Sequence, residues 1–370
     1  MVMTQSLVSN ARLISLDAMR GFTIAAMVLV NYPGSWDHIC QPLEHVEWNG
    51  LTPTDLIFPF FLFIVGVSIT LSYTKLINKG TSKKELYKKI ALRALKIFAV
   101  GVFLSLLPRF DFENIRITGV LQRISIVFFV CSFIFLNTSF RTQAWLGAII
   151  LVAYWLVMTL VPTPGIGEVS LEKGVNLAAW VDSILLPGRL WQGTWDPEGI
   201  LSTFPSIVSG ITGLLAGHLL LSKRTPYEKS ILLMVAGLAA VAVGYLWNLT
   251  FPVNKNLWSS SYVLVTSGLG SLLLGAFYYI VDIRNYSAGT KPGIIFGANA
   301  IAIYFLSDVI SILFYMIPFG SASSNVHFMS ALTAAGLAPK MASMFYAIIF
   351  VCINFCIAYV LYRKRIFIRL

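Results

Sequence analysis

His45, Glu47, Trp48, Asn49, Thr52, Thr54 and Asp55 are packed into a segment that runs straight into the apolar block Ile57 to Leu71. An imidazole held where water meets lipid can accept a proton or carry an acyl group. Asp55 has two readings. It can orient a neighbour or a hydroxyl of a bound solute, or it can close the start of the helix that follows.

The elements that must position these groups are set by composition. Hydrophobic residues make up 57% of the 370, charged residues only 12%, and there are 26 Phe. A soluble domain carries about 25% charged residues, so the pattern is that of a polytopic membrane protein. Apolar windows of about 20 residues, enough to cross roughly 30 Å of hydrocarbon, predict ten helices near 13–32, 52–74, 91–108, 118–137, 143–161, 200–221, 229–250, 259–281, 293–315 and 341–362. The first window holds Asp17 and Arg20 and lacks a small-residue cleavage site, so it reads as a mature helix. The longest connection, Pro162 to Gly199, reads as a loop. The expected fold is all-α, a single transmembrane domain over 1–370.

Charge gives orientation. Of the 27 Lys and Arg residues, eighteen fall on the side of both termini and six, among them Arg109 and Arg116, on the other, with Arg20, Lys96 and Arg123 in or beside spans. The eighteen include Arg12, Lys88, Lys89, Arg93 and Arg369. By the positive-inside rule both termini are cytoplasmic and His45 is outside. The net charge of +11 is then mainly a topology signal, with contact to anionic lipid or to an anionic cytoplasmic ligand as its further readings. Cys40, Cys131, Cys352 and Cys356 predict no disulfide.

Polar groups inside the bilayer are costly unless paired or facing a wet cavity. Asp17 and Arg20, three apart, share a helix face and read as a self-neutralising pair. Asn31 ends the first span. Gln122 and Arg123 lie within the fourth, where a guanidinium wants a carboxylate or phosphate. Asp196 and Glu198 precede the sixth span, where acids also serve as caps. Asn254, Lys255, Asn256 and Trp258 form a polar turn, which turn chemistry and an interfacial Trp also explain. Gly210, Gly213 and Gly217 read as close helix packing, not as a phosphate loop. His38, His218 and His327 have ordinary surroundings.

Five collinear blocks carry a family resemblance: His45 to Phe60; Arg116 to Arg123 with its Gly-Val-Leu-Gln-Arg core; Asp196 to Leu201; Pro252 to Ser259; and Ala358 to Arg365. Together they resemble the catalytic membrane region of heparan-alpha-glucosaminide N-acetyltransferase. The resemblance implies transfer of acetyl from cytosolic acetyl-CoA to the amine of a glucosamine-type sugar across the membrane, with His45 as the functional histidine. Asn31-Tyr32 matches a family Asn-Tyr pair, at a longer spacing from the histidine than in the animal enzyme. The expectation is a family member without the N-terminal domain and without the extra cysteines of the lysosomal member.

Acetyl-CoA carries phosphates that cannot cross hydrocarbon, while its pantetheine arm is slender. Basic groups can hold the nucleotide inside as the arm threads between helices. Arg123, Gln122, Lys88, Lys89 and Arg93 are the candidates for that hold. His45, Asn31 and Asp55 are the catalytic candidates, with His45 as general base or acetyl carrier and Asn31 orienting it or supporting the oxyanion. Trp48, Asn49, Asp196, Glu198, Asn254, Lys255, Asn256 and Trp258 are the candidates for the sugar.

An amino-sugar transporter, or an acyltransferase acting on another cell-surface glycan, shares the same layout. Outer aromatics such as Trp36, Trp180, Trp191 and Trp195 suit any of the three. The expected setting is a bacterial cytoplasmic membrane, with lipid and a small sugar as partners and a homodimer by family analogy. No metal or nucleic acid is expected.

Overall fold

The computed structural model describes residues 13–107 and 110–368. Arg12, Arg109 and Arg369 of the charge balance lie outside the described residues. The described chain is a helical bundle whose strands are a two-residue antiparallel pair, Pro318–Phe319 with Ala322–Ser323. Its helices are α1 (Ile14–Asn31), α2 (Ile57–Asn78), α3 (Lys83–Leu106), α4 (Val120–Asn137), α5 (Phe140–Leu160), α6 (Leu177–Leu185), α7 (Ile200–Leu221), α8 (Pro226–Trp247), α9 (Ser260–Phe277), α10 (Thr290–Ala298), α11 (Ala300–Tyr315), α12 (Ser324–Ala334) and α13 (Pro339–Arg363).

Among the described residues, eight helices are long and apolar enough to cross a membrane, or nine if α10 and α11, bent by 80° at Asn299, count as one broken span. Each of the ten expected windows contains a helix. The window 91–108 falls in α3, whose first half carries Lys83, Lys84, Glu85, Lys88 and Lys89, so this helix is amphipathic at one end rather than uniformly apolar. Two short helices interrupt segments the sequence left irregular: α6 in the long connection, and α12 between the broken span and α13.

Small residues decide how these helices meet. A Cβ at Gly66 would stand 2.0 Å from the Gly210 carbonyl oxygen, and one at Gly213 would stand 2.0 Å from that of Phe63. The backbones of α2 and α7 therefore touch, an approach that dispersion rewards where lipid offers no hydrophobic drive. Gly21 does the same for α1 against Gly293 of α10. With Gly217 against Thr70 further along, α2 and α7 run side by side in the same direction, so their starts lie at the same end of the bundle. Asp17 and Arg20 pair as their spacing predicts, and the four cysteines are unbridged.

Candidate active site

The start of α2 builds the first cluster. Thr52 opens a 3-10 turn, Pro53–Leu56, closed by a capping box with Asp55. Asp55 Oδ2 accepts from Thr52 N at 3.1 Å, Thr52 Oγ1 at 2.8 Å and Val46 N at 3.2 Å. Its other oxygen, Oδ1, lies 2.6 Å from His45 Nδ1. The Asp55 side chain is fully buried and that of His45 is 43% exposed. Both readings of Asp55 therefore hold at once: one oxygen caps the turn and the other holds the imidazole.

A carboxylate only accepts, so this hydrogen bond assigns a proton to His45 Nδ1 and, in the neutral ring, the lone pair to Nε2. Lys255 Nζ approaches to 2.9 Å of Nδ1 and 3.3 Å of Nε2, and lies 3.5 Å from Asp55 Oδ1. With Nδ1 donating to Asp55, the Lys255 approach there is a charge contact, and Nε2 is the nitrogen its ammonium can reach with a hydrogen. Burial lowers the Lys255 pKa from its ordinary value, and the Asp55 charge opposes that fall.

Lys255 is held by the turn after α8. Asn254 is buried and donates from Nδ2 to Asn49 Oδ1 at 3.1 Å, while its Oδ1 accepts from Leu257 N at 2.9 Å. Gly50 N donates to the Val253 carbonyl at 2.8 Å. The two loops are thus stitched, and Asn254 serves that joint rather than facing a solute. Trp258 sits in left-handed backbone at φ 51°, is buried, and donates from Nε1 to Ser209 Oγ at 3.1 Å. Trp48 is also buried, its Nε1 donating to the Leu171 carbonyl at 2.9 Å and its ring edge-on to Trp195. Of the expected sugar contacts, Asn49 is exposed and Lys255 and Asn256 are half-buried.

The second cluster surrounds the start of α7. Arg116 donates from Nε and Nη2 to the two oxygens of Asp196, at 2.8 and 2.7 Å, and from Nη2 to Glu198 Oε2 at 2.6 Å. Asp196 also accepts from Thr118 Oγ1, Trp191 N and Glu198 N. Burial opposes the charge on Asp196, yet Arg116 holds its pKa below the ordinary carboxylate value. Burial likewise opposes the Arg116 charge, and the two carboxylates drive its pKa upward. Asp196 is therefore used up in structure, whereas Glu198 gives only Oε2 to the pair.

The helix cap expected of these acids comes instead from Asp182 on α6, whose Oδ1 accepts from Ile200 N at 2.8 Å. Burial raises its pKa to about 6.

Arg123 is fully buried between the clusters. It stacks over Trp258, with Cζ 5.0 Å from the ring centroid, and its Nη2 donates to the Gly199 carbonyl and to Ser202 Oγ. This divides the expected nucleotide hold. Because α3 and α4 run antiparallel, Gln122 at the start of α4 packs against Gly101 late in α3, while Tyr87, beside Lys88, bonds Asn137 at the far end of α4. Arg123 and Asn137 are fourteen residues apart, about 21 Å of helix. Gln122 and Arg123 thus belong to the His45 end. Lys88 and Lys89 belong to the other, where Lys89 pairs with Glu85 at 2.7 Å. Arg93 lies between them, over the Phe128 ring at 4.9 Å.

Asn31, the last residue of α1, is half-buried, and no hydrogen bond among the described residues joins it to His45. Asp308 of α11, overlooked in the sequence, accepts from the hydroxyl of the adjacent Tyr32. An acid inside an apolar span is the signal that marks it. Arg116 was legible as an outer-side charge, but nothing in the sequence tied it to Asp196 and Glu198, about 80 residues on. Asp182, within a segment read as loop, gave none.

Fold and site define a polytopic helical membrane protein with a carboxylate-bound histidine at one end of its bundle. A family model described as heparan-alpha-glucosaminide N-acetyltransferase, catalytic, matches residues 12–236, and the chain belongs to that family. Two curated relatives named heparan-alpha-glucosaminide N-acetyltransferase, from Homo sapiens and Mus musculus, are 31% and 30% identical over 96% and 97% of this chain. The chain spans 59% and 60% of their lengths. The first three of the five sequence blocks lie inside the matched region, and the last two lie beyond it.

Proposed function

We propose that this chain is a transmembrane N-acetyltransferase that moves acetyl from cytosolic acetyl-CoA to the amine of a glucosamine-type sugar at the outer face. The observation that carries the reading is the His45–Asp55 pair at 2.6 Å, which in the neutral ring turns the lone pair of Nε2 outward on a half-exposed side chain. The relatives' name, heparan-alpha-glucosaminide N-acetyltransferase, supplies the reaction class and the sugar.

In direct transfer, the amine nitrogen attacks the thioester carbonyl, its proton passes to Nε2, the C–S bond breaks and CoA leaves as the thiol after taking up a proton. In the two-step route, Nε2 itself attacks, CoA leaves, and the amine then takes acetyl from the imidazole. Asp55 serves both by fixing the ring and stabilising its cationic form. Lys255 places a primary amine 3.3 Å from Nε2, the position an acceptor amine must reach. Lys88, Lys89 and Arg93 are proposed to meet the CoA phosphates at the cytoplasmic end, and Asn31 to aid the oxyanion. We assign the protein to the cytoplasmic membrane of a bacterium with both termini inside, and a homodimer remains a proposal from analogy.

The test is transfer from labelled acetyl-CoA to glucosamine by purified protein in proteoliposomes. Transfer by wild type supports the reading. Amino-sugar uptake without acetylated product would replace it with a transporter.

A further inference from the structure

A cavity of about 370 Å³ opens between α3, α4 and α7, away from the His45 ring. Its walls are Phe98, Ile126, Val130, Phe204 and Ile207. From Gln122 to Val130 on α4, and from Gly199 to Ile207 on α7, the lining runs eight residues, about 12 Å. It therefore begins at the His45 end and stops within a hydrocarbon core of roughly 30 Å. Ile126 and Phe204 are 37% and 51% exposed on helices long and apolar enough to span. Their exposed faces meet acyl chains.

The head of the cavity is polar and unsatisfied. Gln122 and Arg123 line it, are 4% and 1% exposed, and leave Gln122 Nε2 and Arg123 Nε and Nη1 without hydrogen-bond partners among the described residues. Buried donors left unpaired are costly and call for acceptors. Glu198, also lining the cavity, commits only Oε2 to Arg116. A simple anion does not match this head, because Asp182, Asp196 and Glu198 outnumber Arg116 and Arg123. Acceptor oxygens beside a cation do match it. Water alone would answer the donors but not the apolar trench below them.

We propose that this cavity binds a membrane amphiphile whose head group joins acceptor oxygens to a primary ammonium and whose hydrocarbon chain lies along α4 and α7. An ethanolamine phospholipid and a lipid-linked amino sugar share that chemistry. The acceptor oxygens meet Gln122 and Arg123, and the ammonium meets Glu198. Arg123 stacks on Trp258, whose N donates to the Lys255 carbonyl at 3.1 Å, and Lys255 Nζ touches His45. The head is thus one aromatic ring from the histidine turn. Resting on the acetyl-transfer reading, this makes the acceptor amine a lipid-borne one that arrives sideways from the bilayer.

The experiment uses the full chain in phosphatidylcholine nanodiscs with phosphatidylethanolamine bearing a photoreactive acyl chain. Labelling is mapped by mass spectrometry, and transfer to soluble glucosamine is measured in parallel. Expected labels fall on the α4 and α7 walls. They drop at least fivefold in Ile126→Trp, which fills the trench from its lipid side, at an unchanged melt and with soluble transfer intact, and they drop likewise in Glu198→Gln. Unlabelled phosphatidylethanolamine or a polyprenyl-phosphate glucosamine competes, and the stronger competitor identifies the source. Equal labelling by matched phosphatidic acid or phosphatidylcholine probes overturns the head-group match. Protection by soluble phosphoethanolamine overturns the need for a chain, and protection by acetyl-CoA gives the cavity to the donor. Absent wall labels with intact transfer remove this inference alone. Wall labels with no acetyl transfer either to soluble glucosamine or to the lipid amine remove the acetyl-transfer reading and leave the lipid site.

Discussion

Two charged clusters share the His45 end of the bundle, and they differ in how many of their bonding valences are spent. Around Asp196, two guanidinium nitrogens, a hydroxyl and two backbone amides fill both carboxylate oxygens. Around Asp55 the carboxylate is equally well served, but what it serves is a ring 43% exposed whose far nitrogen, among the described residues, meets only the Lys255 ammonium. The first cluster locks the start of α7. The second spends a buried carboxylate on aiming one exposed atom. Ion pairs near a membrane face thus separate by what their outermost member still has to offer.

The sharpest way to break this comparison is His45→Ala. Transfer should fall at least about 10³-fold, the order expected when a positioned base is lost, while the melting temperature in detergent stays close to wild type because the ring is outside the core. An activity loss matched by unfolding would put His45 with the locking cluster. Asp55→Asn should follow, with a fall of roughly 10²–10⁴ in kcat, because an amide can donate to Nδ1 and so favour the wrong tautomer. KM should move little. Equal rates for Asn and Asp would show that Asp55 only closes the turn.

Arg116→Ala probes the other side. Removing it leaves Asp196 buried and Glu198 half-buried without their cation, a change that costs about 3–5 kcal/mol when a buried pair loses one member. The melt should drop sharply and transfer should decline with folded fraction rather than ahead of it. Arg116→Lys should restore little, since a single ammonium cannot reproduce the paired Nε and Nη2 contacts. A stable but inactive Arg116→Ala would show that this cluster takes part in chemistry.

The difference between the clusters also explains what was legible in the chain. Helices were visible because lipid demands long apolar runs, and His45 and Asp55 because a polar block interrupts that demand at a span's start. Asp55 could be read as cap or partner, and only folding reveals that its two oxygens do both. Arg123 was visible as an anomaly, but its grouping with Lys88 and Lys89 could not be checked along the chain: the antiparallel return of α4 puts it with Trp258, far from those two lysines. Asn254 and Trp258 looked like sugar contacts because polar turns and surface Trp commonly are, whereas here both are buried in the joint between loops. Asp182 was hidden because a nine-residue helix in a Pro- and Gly-rich connection has too few turns to display a period.

Asp182 offers the smallest and most specific test. Its carboxyl is buried, accepts from Ile200 N and has its pKa raised by burial from 3.8 to about 6. The native state therefore binds this proton more tightly than the unfolded one, so the group favours folding at low pH and its contribution declines as pH rises between about 4 and about 6. Asp182→Asn keeps an acceptor for Ile200 N and removes the titration. Relative to wild type, its melting temperature should rise across that window and level off above it, by an amount worth at most about 3 kcal/mol. Because Asp182 touches the start of α7 and not His45, the pH profile of transfer should keep its shape in the variant. A shifted profile would mean that the locking cluster feeds charge into the aimed one, and the two regions would have to be treated as a single site.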